Sequence, residues 1–271
     1  DGISWKQADL QLETAPVTHL HTGPRNSLLL DHINGANTNV RIRGKKQTIT
    51  GFVDNVTADL FKLTSGDKPE ISNLSVTGRD IESRQAGSVV RIKKVSGTDL
   101  AETRVEGFRF TDSNSARHLQ LDVPSATAIP DLNQLIHGKL RLRDVVLNEP
   151  DARLLFSGNG NTGTHADSKQ PDIRINSILV RQPKLNIETS SEKGTTRFTW
   201  NGPAHQNNLS LQELQYGRAN SNSGTVAQAT LQLEDFSLQT PGNRVFNSDS
   251  GSITGLLRDI SWTTGPKGTG N

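Results

Sequence analysis

The residues best suited to chemistry by type and spacing are one glycine run, a histidine group and a few carboxylates. Gly158-Asn159-Gly160-Asn161-Thr162-Gly163 fits the G-x-G-x-x-G pattern that cradles a dinucleotide pyrophosphate, and it follows a strand-like segment. That chemistry needs a helix N-terminus directly after the glycines. Residues 164–171 are instead polar, contain Lys169-Gln170-Pro171 and lead into another strand, so the run reads as a loop. His19 and His21 alternate as on a strand, with Asp31 and His32 further on, which is a partial ligand set for a metal ion. No third ligand stands at a persuasive spacing, and they read as surface histidines. Asp144 and Glu149 fall on the polar positions of an alternating pattern, where solvated charge is the ordinary role. No nucleophile elbow, H-E-x-x-H or P-loop occurs. The chain therefore reads as a non-enzyme without cofactor or metal. Asn55-Val56-Thr57, Asn73-Leu74-Ser75 and Asn208-Leu209-Ser210 match the glycosylation acceptor triplet, which arises readily by chance in an Asn- and Ser-rich chain.

Composition narrows the class. Of 271 residues only 32% are apolar and 4% aromatic, against a globular norm of roughly 45 to 50% apolar including glycine. A thick spherical core is not expected from so little apolar material. With 24 Gly, 11 Pro and abundant Ser, Thr and Asn, strands and turns are favoured over helices. A net charge of +2 gives no bulk field for nucleic acid. Cysteine is absent, which excludes disulfides, thiol catalysis and thiolate metal centres. Methionine is absent too and the first residue is Asp1, so the chain is expected to be a processed or excised part of a longer one. Its longest aliphatic run, Leu28-Leu29-Leu30, falls far short of the roughly 20 residues a membrane helix needs.

The elements that would position any site come from an internal repeat. Placing residues 138–156 over 171–189 aligns Leu140, Leu142, Val145, Leu147, Pro150, Ala152 and Leu154 with Ile173, Ile175, Ile178, Val180, Pro183, Leu185 and Ile187. The shared pattern is apolar-x-apolar-x-x-apolar-x-apolar, strand alternation interrupted by one extra residue. A bulge or bend that absorbs this residue keeps all four apolar side chains on one face. Arg141, Arg143, Arg174 and Asn176 then lie on the other. Weaker copies are Ile3, Trp5, Ala8, Leu10; Val90, Ile92, Val95; Val105, Phe108, Phe110; Leu209, Leu211, Leu214, Tyr216; and Leu231, Leu233, Phe236, Leu238.

The fold expected is mostly β: an elongated, bent, largely antiparallel sheet forming a groove from repeated bulged strands, in a single repeat-built domain spanning 1–271. The short polar turns favour antiparallel pairing, since parallel strands need long crossovers. Two short helices are expected. The first covers 130–137, with Pro130 in its first turn and Gly138 as C-terminal cap, and a fainter one covers 58–63. Residues 157–170, 189–196, 217–226 and 263–271 read as polar loops.

The segment from about 130 to 200 resembles the AsmA-like family of bacterial envelope proteins, relatives of the translocation and assembly module and of bridge-like lipid transfer proteins. The resemblance rests on Asp131-Leu132-Asn133-Gln134-Leu135-Ile136 ahead of the strand 139–156, on Ile173 to Ile187 with Pro183, and on Gly194 followed by Trp200. The first copy lacks a Trp after its Gly-rich turn, and the family's membrane anchor is missing from these residues. The resemblance implies a periplasmic, anchored groove that shields the acyl chains of phospholipid or another lipid during envelope homeostasis, with inner- and outer-membrane proteins as further partners. Leu140, Leu142, Val145, Leu147, Leu154, Ile173, Ile175, Ile178, Val180, Leu185, Ile187, Leu211, Leu214, Leu231, Leu233, Phe236 and Leu238 are the residues expected to line it. The competing reading is an extracellular β-solenoid or adhesin-like scaffold binding glycan or protein, for which only Trp5, Trp200, Trp262 and Tyr216 offer suitable aromatics. A closed sandwich core would use the same apolar residues as a lipid groove.

Overall fold

The computed structural model describes residues 3–5, 8–13, 27–43, 47–64, 70–85, 87–113, 117–131, 134, 139–157, 172–191, 194–203, 207–217, 223–242, 244–248 and 252–263. Among the described residues nineteen strands make one mixed, mostly antiparallel sheet that does not close into a barrel. At one edge β1 (Ile3–Trp5) and β2 (Ala8–Glu13) run parallel to β3 (Ser27–Arg43). β3 pairs antiparallel with β4 (Gln47–Thr64), which carries β5 (Glu70–Ser72) and β6 (Ser75–Gln85). β7 (Ser88–Thr98), β8 (Thr103–Ser113) and β9 (Arg117–Ala128) continue as a meander. β10 (Lys139–Asn148) and β11 (Asp151–Ser157) both pair with β9 in one register, so they are halves of a single strand broken at Glu149-Pro150.

β12 (Asp172–Arg181) and β13 (Lys184–Ser191), broken at Gln182-Pro183, lie parallel to β10 and β11. The chain returns through β14 (Gly194–Asn201) and β15 (Asn207–Tyr216), runs out through β16 (Ser223–Leu233) and β17 (Phe236–Thr240), and ends on β18 (Arg244–Asn247) and β19 (Ile253–Thr263).

Directly opposed ladder partners share a sheet face, and here they form apolar rows that cross strand after strand. One row reads Val95, Val105, Ala126, Leu147, Val180, Leu209, Leu231. Others read Val145, Ile178, Leu211, Ala229, Leu257, and Val90, Phe110, Leu121, Ala152, Leu185, Trp200, Phe236. The rows between are polar: Glu82, Arg91, Arg109, Asp122, Asp151, Lys184 is one of them. Along it Arg91 Nε donates to Glu82 Oε2 at 2.7 Å and Arg109 pairs with Asp122.

The extra residue in each repeat has a structural counterpart that runs across the sheet. Asp80, Lys93, Gly107, Pro124, Glu149 and Gln182 lie side by side at a gap in the ladders, with the register unchanged on either side. Arg143, Asn176, Glu213, Ala227 and Asp259 form a second such column. Because neighbouring strands carry the extra residue at matching positions, these are aligned bends rather than isolated bulges. Asp80 (φ 52), Gly107 (φ 62), Glu149 (φ 50), Gln182 (φ 49), Glu213 (φ 54) and Asp259 (φ 52) adopt left-handed backbone there, a conformation that costs a non-glycine residue roughly 1–2 kcal/mol.

Several expectations are corrected. The sheet is mostly antiparallel as expected, but short turns do not join every pair: the two repeat copies lie parallel, because the connection between β11 and β12 is long enough for a crossover. Residues 58–63 are strand, since Ala58 opposes Ile33 within β4 and pairing overrides a weak helical pattern. The loops expected at 189–196 and 217–226 are narrower: β13 runs to Ser191, β14 starts at Gly194 with φ 118, and β16 starts at Ser223. Of the helix expected at 130–137, Gln134 is helical and its N–H donates to Asp131 Oδ1 at 2.9 Å, an N-cap contact. Pro130 lies ahead of that cap in a bridge to Leu142, so it is not in the first turn. Residues 132–133 and 135–138 lie outside the described residues, as do 158–171 with the glycine run, His19, His21 and 264–271. His32 lies in β3.

Candidate functional site

Burial shows which face of the sheet curves inward. Among the described residues, the buried apolar side chains are those of Ala58, Val123, Val145, Val180, Trp200, Val226 and Ala229. Each stands in an apolar row, opposite Ile33, Phe108, Ile178, Leu147, Leu185, Ile260 and Leu211 respectively. No second layer of described structure packs on them, since all nineteen strands belong to one sheet. In a single layer, side chains become buried when their own neighbours converge over them, which happens on the concave side. The apolar face is therefore the inside of the bend. The buried residues lie on both sides of each bend column, so the bends keep the apolar set on one face.

The face is broad and open. The chain exposes 18157 Å², against about 11,500 Å² expected of a compact monomer of this mass. Twelve strand positions lie side by side when the broken strands are counted once, which at about 4.8 Å each makes a trough of roughly 50 Å across the strands. Its far rim, where strands have one neighbour only, leaves Phe246, Ile253 and Leu257 more than half exposed. A cavity of about 550 Å³ opens along the first bend column, lined by Ile81, Ile92, Phe108, Val123, Lys93 and Pro124 and by Glu82, Arg91, Arg109 and Asp122 of the outer polar row, so it does not belong to the apolar face alone.

The register shows which of the residues expected to line the groove oppose one another. Leu140 opposes Ile173, Leu142 opposes Ile175, Val145 opposes Ile178 and Leu147 opposes Val180. Leu154 opposes Ile187, and Leu185 opposes Trp200. Leu214 opposes Ile175 and Leu211 opposes Ile178. Leu231 opposes Leu209, Leu233 opposes Ile253, Phe236 opposes Trp200, and Leu238 opposes Phe198 and Phe246. Phe198 and Phe236 also meet ring to ring, 6.3 Å between centroids. Arg143, Arg174 and Asn176 are exposed, as expected of the other face, while Arg141 is half-buried by its pairing with Asp172 at 2.6 Å.

Sequence reasoning did not place Val123, Val226 or Ala229 in the groove, although they are among its most buried members. Val226 fell in a segment read as loop, and the small side chain of Ala229 weakens the apolar period. Asn208 was seen only as a glycosylation acceptor. It is 0% exposed, and its Oδ1 accepts the Gln182 N–H at 2.9 Å, filling the gap that the strand break leaves in the sheet. Its signal was its position one repeat strand away from Gln182-Pro183, which no local pattern reveals.

The outer face is held by ion pairs. Hydrogen bonds from Arg84 and Arg91 hold the Glu82 carboxyl below the usual carboxylate range. For Asp172 the same direction comes from Arg141. Burial would raise the Asp122 value, but hydrogen bonds from Arg109 and Gln120 lower it on balance. Among the described residues no helix is long and apolar enough to cross a membrane, and no three His, Asp or Glu side chains gather as a metal site. Set against known protein families, curated proteins and solved structures, the chain matches none.

Proposed function

We propose that this chain is a noncatalytic β-groove that binds or conducts phospholipid or another acyl lipid in the bacterial envelope. Its setting is the periplasm, in the manner of the AsmA-like proteins it resembles, with inner- and outer-membrane proteins as further partners. The observation that carries this reading is the set of apolar rows crossing strand after strand on the concave side of a single sheet, with no described element covering them. Each lipid methylene that leaves water for such a face gains about 0.8 kcal/mol, so a partly covered acyl chain is held by several kcal/mol without any ionisable group. The ion-paired outer face keeps the convex side wet. A photoreactive residue at Ile178, in the middle of the trough, tests the reading in cells. Crosslinked lipid at Ile178, absent when the same residue replaces exposed Arg174 on the outer face, is the expected result. Equal labelling at both positions, or none at Ile178, overturns it. Mass spectrometry of gently purified protein is expected to find co-extracted acyl lipid.

A further inference from the structure

The cavity at the first bend column takes in neighbouring positions on β6, β7, β8 and β9. All three carboxylates that line it already face arginines. Glu82 accepts from Arg84 and Arg91, Asp122 accepts from Arg109, and Asp80 lies 3.9 Å from Arg79 Nη1. Lys93 is the remaining cation in the lining, and its ammonium has no hydrogen bond or ion pair among the described residues. Asp80 and Lys93 fall across from each other, in the gap between the pairs Arg79 with Lys94 and Ile81 with Ile92. They do not pair, because the lysine stem lies over Gly107 on the next strand. A Cβ added at Gly107 would come within 2.8 Å of Lys93 Cβ and 3.5 Å of its Cδ. The bare backbone at 107, whose φ of 62 also favours glycine, makes that room.

We infer that this cavity holds the phosphate of a phospholipid, with Lys93 as its counter-ion and the glycerol end of the lipid against Ile81, Ile92 and Phe108. At about 550 Å³ the space is of the size that takes a small ligand. One unpartnered cation beside apolar side chains matches an amphiphile with a single negative charge. The lining carboxylates do not oppose it, since arginines already offset them. A free phosphate has no apolar part to cover the isoleucines and the phenylalanine, and burying its full charge on one lysine is costly. The assignment rests on the groove reading above and adds the headgroup to it.

Three ligands separate the outcomes in a calorimetric titration: dihexanoyl-phosphatidylglycerol below its micelle concentration, dihexanoylglycerol, which has the same chains and no phosphate, and inorganic phosphate. The phospholipid is expected to bind about tenfold more tightly than dihexanoylglycerol, the factor one charge-assisted hydrogen bond supplies. Lys93→Met, which keeps an apolar stem of similar length, is expected to erase that preference, and Lys93→Arg to keep it. Lys94→Met, one position along and outside the cavity lining, is expected to leave both affinities unchanged. Equal affinity for the two lipids, a preference that survives Lys93→Met, or an equal loss in Lys94→Met overturns the headgroup site and leaves the groove standing. Inorganic phosphate binding as tightly as the phospholipid also overturns it, in favour of a free-anion site. Binding of neither lipid overturns both the headgroup site and the groove.

Discussion

Leu147 and Val180 stand directly opposite each other on parallel strands, and the same spacing of thirty-three positions joins Asp144 to Ser177, whose hydroxyl donates to the Asp144 carboxylate at 2.9 Å. The internal repeat of this chain is thus also its sheet register: each copy lies beside the other, position for position, through Ala152 and Leu185 to Leu154 and Ile187. Equivalent residues that pair in parallel place apolar beside apolar automatically, so the repeat lengthens the apolar face by one strand without new design at each position.

Ile178→Asp should leave the protein folded and remove lipid crosslinking and co-extracted lipid. The site is half-buried and the concave face is open, so a carboxylate there stays partly hydrated. Circular dichroism and thermal melting check the fold. Loss of the cooperative transition would mean that this face is a closed core.

The bend columns can be probed by a matched pair on β15. Glu213 and Gln212 are both exposed neighbours, but only Glu213 has positive φ, at 54°. Glu213→Val should cost roughly 1–2 kcal/mol, because a β-branched side chain crowds the left-handed backbone, while Gln212→Val on an ordinary strand position should be nearly neutral. Chemical denaturation of the two variants measures the difference.

Gly97→Ala should destabilise by about 1–3 kcal/mol. An added Cβ would lie 2.7 Å from Thr103 Cα on the adjacent strand, too close for either backbone. Thr103→Gly on the same background is expected to recover part of the loss.

Acid should weaken the sheet through its outer face. The folded values of Glu82, Asp122 and Asp172 lie below their ordinary values of 4.5, 3.8 and 3.8. A depressed carboxylate contributes stability in full above its unfolded value and loses it as the pH falls through its folded one. Stability is therefore expected to be flat above about pH 5 and to decline below pH 4.5. Asp172→Asn should make that decline shallower, as read by urea midpoints across the range.

Asn208→Ala should cost about 1–3 kcal/mol, since it strands the part-buried Gln182 N–H. A Gln182→Gly variant, by contrast, relieves the left-handed backbone at that position and should be neutral or mildly stabilising in the same melt.

What the sequence by itself determined is the local pattern. Period-2 alternation with one extra residue marks Leu140 to Leu147 and Ile173 to Val180 as bent, one-faced strands, because side-chain direction along a strand depends only on the neighbours in the chain. Charge on the alternate positions likewise announced a wet outer face. The tertiary structure decided the rest. Parallel pairing of β10 with β12 depends on where a distant connection lets the chain return, and the strand at Ala58 depends on Ile33 across the sheet. Concavity arises when many bends line up across neighbouring strands, as Asp80, Gly107, Glu149 and Gln182 do. The meeting of Asn208 with Gln182 and of Trp200 with Leu185 is equally a product of pairing. Such contacts are set by the free energy of the whole sheet, and no window of sequence contains both partners.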